Sequence, residues 1–147
     1  MVYVRKLFRT IGLKPRKLTK EAKAAAAGIS YEQPQVEAGS TLDFMLSTLS
    51  REAAAAYVHA VVSDIEACVA ESRATAQDVG PENLLERIHA LKNAIAPIGS
   101  QQLRMACEQL RLDACHGADR APLERRFEAV ARAAVKLILS FRAASGP

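Results

Sequence analysis

Of the three histidines in this 147-residue chain, His89 has the neighbours that chemistry would need. It lies in Arg87-Ile88-His89-Ala90-Leu91-Lys92-Asn93, inside a strongly helical pattern followed by Pro97-Ile98-Gly99. A histidine and a lysine three residues apart share one side of a helix. Leu85, Ile88, Leu91 and Ile95 make an apolar stripe at the same spacing, with His89 beside it and not in its middle. The imidazole is therefore expected to reach solvent while the helix stays anchored. A neutral imidazole is a nucleophile toward phosphorus, and a cation one turn away offsets the charge of a bound phosphoryl group. The competing reading is plain: a lone histidine at an apolar edge is ordinarily packing or surface, and Lys92 an ordinary solvated lysine.

The surrounding residues separate the two readings. Ile88-His89-Ala90-Leu91-Lys92-Asn93-Ala94 leads into Ile98-Gly99-Ser100 and then Leu103, Cys107 and Leu110. This order resembles the histidine phosphotransfer (HPt) domain of bacterial two-component phosphorelays: His-x-Leu-Lys-Gly, a short helical stretch, Ile/Leu-Gly-Ala, then a Leu…Cys…Leu-Glu helix. The resemblance spans Thr41 to Ala144. Two positions depart from it. Asn93 stands where the family has glycine, adding bulk but also an amide donor for a phosphoryl oxygen. Arg111 stands where glutamate is common.

The resemblance implies a relay in which His89 carries the phosphoryl group between receiver-domain aspartates and Lys92 supports its charge. Leu85, Glu86, Asn93 and Ala96 are then the residues expected to meet a docked receiver. The receiver, of a hybrid histidine kinase or a response regulator, brings the aspartyl phosphate and the metal ion, so no cofactor is expected on this chain. Positioning and charge supply most of the effect in such a transfer. No glycine-rich phosphate loop is present, and the isolated glycines fall at helix ends. The chain is thus expected to be a phosphotransfer intermediate without an ATP site or kinase motif.

Half the residues are hydrophobic, with many alanines, few aromatics and no Trp. Alanine is the best helix former, and alternation of apolar and polar residues is scarce, so an all-α protein is expected. The net charge of +4 is uneven: residues 1–23 carry eight Lys/Arg against one acid, while the remainder carries twelve against fifteen acids. The basic character belongs to an N-terminal arm, and no nucleic-acid partner is expected. Cys68, Cys107 and Cys115 form neither a metal spacing nor an even disulfide set, which suits a reduced, cytoplasmic setting. No apolar run approaches the ~20 residues of a membrane span, and the N-terminus lacks a secretory apolar core.

These residues require positioning elements. Residues 2–11 predict a short amphipathic helix, and Thr19 to Ala27 a second. Ser30 to Gly39 reads as a linker, closing an arm-and-linker region of residues 1–40. Ser40 or Thr41 caps a short helix, Leu42 to Leu49. A long helix follows from Ser50 to about Gln77, with Val58, Val61, Ile65, Cys68 or Val69, and Ser72 on one face. Gly80-Pro81 restarts the chain for the His89 helix, which ends near Ala96. A further helix runs from Ser100 to about Cys115, with Leu103, Ala106 or Cys107, Leu110 and Ala114 inward. The last runs from Pro122 to about Ala143 and buries Leu123, Phe127, Val130, Ala134, Leu137, Ile138 and Phe141. Short connections make neighbours antiparallel, so residues 41–147 predict an up-down four-helix bundle with a short preceding helix and a basic helical arm.

Other candidates have simpler explanations. His59 falls near Val58 and Val62 at a core edge, and His116 suits a helix C-terminus before Gly117. Glu82 and Glu86 read as a solvated helix face. The rival function is a non-phosphorylated helical adaptor whose arm, residues 1–23, binds a membrane surface or a partner. A standalone protein and the C-terminal piece of a hybrid kinase read alike at this level.

Overall fold

In the computed structural model, which describes residues 33–75 and 81–146, regular structure is helical throughout and the described residues contain no strand. The two arm helices expected before residue 28, and residues 76–80 of the long-helix end, lie outside the described residues, as do the side chains of Ser72 and Glu82.

Three of the helices start where a serine side chain satisfies a free N–H group. Helix α1, Thr41–Thr48, begins at Ser40, whose Oγ accepts from the Asp43 N–H at 3.3 Å, while Asp43 Oδ2 accepts from the Gly39 N–H at 2.8 Å. This reciprocal cap fixes the chain entry and places a carboxylate at the positive helix end. Ser50 Oγ accepts from the Ala53 N–H and opens α2, Arg51–Thr75. Pro81 is the first residue of α3, Pro81–Ile95. A 3-10 turn, Ala96–Ile98, then tightens the chain, and Gly99 closes it at φ 66°. Ser100 caps α4, Gln101–Cys115, by accepting from the Leu103 N–H at 3.3 Å. The end of α4 is a Schellman turn: the Ala118 N–H reaches the Asp113 carbonyl and the Gly117 N–H the Ala114 carbonyl, with Gly117 at φ 71°. Helix α5 is Arg120–Ser145.

Helices α2 and α4 each lie against both α3 and α5, so the four enclose one core. Its largest fully buried side chains include Ile65, Leu91, Ile95, Leu110, Phe127 and Ile138. Helix α1 inserts Leu42 and leans on the 3-10 turn. The expected inward faces hold with local shifts. On α3 the buried set is Leu84, Ile88, Leu91 and Ile95, and Leu85 is only half-buried. On α4 Cys107 is buried and Ala106 lies at the edge; on α5 Leu137 and Phe141 are half-buried and Ala131 is inside.

The stretch read as linker, Ser30 to Gly39, differs from that reading over its described part. The compact unit starts at Pro34. The Glu37 N–H donates to the Ile98 carbonyl at 3.4 Å, and the Gln35 N–H donates to Gln102 Oε1 at 3.4 Å. A Cβ on Gly99 would come within 2.7 Å of Ser40 Cβ and 3.2 Å of Glu37 Cβ. Glycine lets the chain before α1 lie directly on the α3–α4 turn, and its left-handed φ would strain any other residue.

Averaged over the helix, Arg51–Glu71 reaches the length and apolarity of a membrane span, at a mean hydropathy of 1.3, although the sequence showed no long unbroken apolar run. Alanine raises the mean while adding little surface to bury. Only 28% of that stretch is buried within the chain.

Candidate functional site

Helix α3 has two faces. The inner face is the stripe already described, joined by an unexpected charged residue. Arg87 is 6% exposed. Its guanidinium meets Glu124 of α5 in a bidentate pair, at 2.9 and 2.6 Å, and stacks 5.2 Å from the centre of the Phe127 ring. Arg120 holds the same carboxylate at 3.3 Å. A buried arginine is tolerable only when paired and bonded in this way. A second inner pair, Arg126 with Asp113 at 2.7 Å, lies between α5 and α4, where Gln109 donates to the other Asp113 oxygen. The Arg87–Glu124 pair and the apolar stripe together fix the orientation of α3 about its axis.

The outer face of α3 presents Glu86, His89, Ala90 and Asn93, all exposed, at helical spacing. His89 is in mid-helix, so its backbone is held by helix hydrogen bonds on both sides. Its neighbour Ala90 is too small to screen the ring. Asn93 Nδ2 lies 3.3 Å from His89 Nε2. With the amide nitrogen facing the ring, Nε2 accepts when the neutral ring carries its proton on Nδ1. In that tautomer the Nε2 lone pair is engaged by the Asn93 amide, which must swing aside before Nε2 can attack phosphorus. Ala96 is exposed but belongs to the 3-10 turn, and Leu85 is half-buried at the edge of the same face.

Lys92 takes a different place from the one its spacing suggests. Its Nζ lies 3.6 Å from Glu108 Oε2 on α4, so its charge is shared across the helix pair. Glu108 is also gripped by Arg111, through Nε at 2.9 Å and a second contact from Nη2. The guanidinium of Arg111, and less strongly Lys92, hold the Glu108 carboxyl below the ordinary range. Arg111, a departure from the family pattern, is thus the principal partner of Glu108 and leaves Lys92 its more distant contact. Sequence spacing shows the Glu108–Arg111 pair, three residues apart. It does not show the pair with Lys92, which depends on how α3 meets α4. Behind Lys92 the Cys107 thiol is buried and pushed up to about 12, so it is an inert core group.

No protein-family model, curated protein or solved structure matches the chain. The residues themselves must carry any assignment. Among the described residues no group of three or more His, Cys, Asp or Glu is arranged to hold a metal ion. His59 and His116 are exposed, and neither ring makes a hydrogen bond among the described residues. Of the three histidines, His89 is the one that is exposed with a side-chain partner for its ring.

Proposed function

We propose that this chain is a histidine phosphotransfer protein in which His89 relays a phosphoryl group between the aspartates of two receiver domains. The observation that carries the reading is the 3.3 Å contact between the Asn93 amide and Nε2 of an exposed, mid-helix His89. In the step proposed, the Nε2 lone pair attacks the phosphorus of an aspartyl phosphate. The N–P bond forms as the carboxyl O–P bond breaks, and its electron pair stays on the receiver's carboxylate. The ring can then release its Nδ1 proton to water. Asn93 donates to a phosphoryl oxygen once Nε2 is occupied, and Lys92 supplies positive charge beside it.

The architecture proposed is an antiparallel up-down four-helix bundle of α2 to α5, with α1 across one end. The cyclic contacts of these helices and their short connections support it. The setting proposed is the cytoplasm, which suits three free cysteines.

The test is incubation with phosphorylated receiver domains. The expected product is acid-labile label on the chain, absent from the His89→Gln variant. Label persisting in that variant moves the acceptor to His59 or His116. A second reading, a non-phosphorylated adaptor, draws on the exposed Phe44 and Met105, at 61% and 63%. Absence of label from every cognate receiver favours it.

A further inference from the structure

The outward side of α2 and α5 carries exposed apolar surface. Between these helices runs a groove of about 670 Å³. Val69 lines one side and Val135 and Leu139 the other, above the fully buried Ile65. Leu139 is 49% exposed. Beyond the groove, α2 continues outward with Ala56, Ala60, Ala67 and Ala70, all exposed. Small side chains allow close helix approach, and the surface is more apolar than solvent contact favours.

The charges on this side indicate what covers it. Of the charged residues lining the groove, α2 contributes Glu66 and Arg73 and α5 contributes Arg132 and Lys136. Arg73 and Arg132 are both engaged by Glu128, at 3.2 and 3.6 Å. Glu66 on the α2 wall and Lys136 on the α5 wall are exposed, and neither has an ion-pair partner among the described residues. A two-fold axis through the groove sets α2 of one copy against α5 of the other. With the axis parallel to the helices, Glu66 of each copy faces Lys136 of its mate. An isologous interface requires this kind of self-complementarity.

We infer that this groove seats a second copy of the chain, and that the protein is a dimer through its α2–α5 face. No residue of α3 lines the groove, so His89 remains accessible in the pair. The inference does not depend on phosphotransfer.

The test is sedimentation equilibrium of the full chain at micromolar concentration, with circular dichroism as the check on folding. The expected mass is twice 15.9 kDa. Leu139→Asp, at an exposed position, should keep its helicity and raise the dissociation constant about 30-fold or more, as loss of an anchoring apolar contact does. Glu66→Lys and Lys136→Glu should each weaken the dimer about fivefold, and the double reversal should restore it to within about twofold. A monomeric wild type overturns the inference, whether another segment of the chain or a membrane covers the groove. Binding of the monomer to phosphatidylglycerol vesicles, lost in Leu139→Asp, would identify the membrane as occupant. A dimer insensitive to Leu139→Asp, or a double reversal as weak as the single ones, also overturns it.

Discussion

At His89 the side chain contributes chemistry and almost no packing, since the ring is exposed. His89→Gln should abolish phosphoryl labelling while leaving the melting temperature unchanged within error, as surface substitutions do at about ±0.5 kcal/mol. Asn93 permits a finer test. Asn93→Gly removes one neutral hydrogen bond, worth about 0.5–1.5 kcal/mol, and should slow transfer by about 2- to 12-fold. Asn93→Asp replaces a donor with an acceptor, draws the ring proton to Nε2 and should slow transfer further. Nitrogen chemical shifts of the imidazole report that tautomer change directly, with no phosphodonor present. An unchanged tautomer in Asn93→Asp would show that the amide does not set the ring. Lys92→Ala should slow transfer without ending it, and Glu108→Gln should speed it by releasing Lys92 from its 3.6 Å contact. The His89–Asn93 relation was legible in the sequence because a four-residue spacing on one helix nearly guarantees contact. The Lys92–Glu108 relation was not, because two helices had to meet first.

Between elements, the ties that hold α3 in place were only partly readable. Ile88, Leu91 and Ile95 follow from periodicity. The choice of Leu84 over Leu85 does not, since adjacent leucines on one turn satisfy the pattern almost equally. Arg87 escaped detection because its partner lies 37 residues away and a charged residue on an inner face runs against the binary pattern. Arg87→Ala leaves Glu124 with Arg120 alone and empties the space over Phe127; a loss of about 3 kcal/mol in denaturant unfolding is expected. Leu110→Ala should cost about 2–5 kcal/mol by the same measurement, as buried large-to-small changes do. The ion pairs of Glu108, chiefly with Arg111 on its own helix and less with Lys92 on α3, are pH-dependent. Glu108 titrates below its ordinary range in the folded chain, so its contribution is present above the unfolded carboxylate pKa and is lost as pH falls through the lower folded value. The difference in melting temperature between wild type and Glu108→Gln should therefore be largest near neutrality and close in acid. A gap that stays constant down to pH ~2 would exclude Glu108 as its source.

For the whole molecule, caps and breakers made the order of helices readable: Ser40, Ser50, Pro81, Ser100 and Gly117 mark the starts and stops. The start of the folded unit was not, because the residues before Ser40 lack periodicity and hold their place through contacts with a turn some sixty residues on, as in the 67-residue separation of Gln35 and Gln102. Deleting residues 1–23 should leave labelling of His89 within a few-fold, because every residue proposed for the site lies beyond them. Loss of labelling in a deleted chain that still folds would bring the arm into receiver docking. Gly99→Ala should cost about 1–3 kcal/mol through its left-handed φ and should also lift the preceding segment off the turn. That seat has a consequence for proteolysis. A protease must draw the backbone into its own cleft, so cutting follows local opening and not mere visibility of a side chain. Although the Glu37 carboxylate faces solvent, its backbone N–H is spent on Ile98. A glutamate-specific protease should therefore cut after Glu37 slowly in the wild type and readily in Gly99→Ala, which makes cleavage at this one bond a measure of how firmly the chain is latched to the α3–α4 turn.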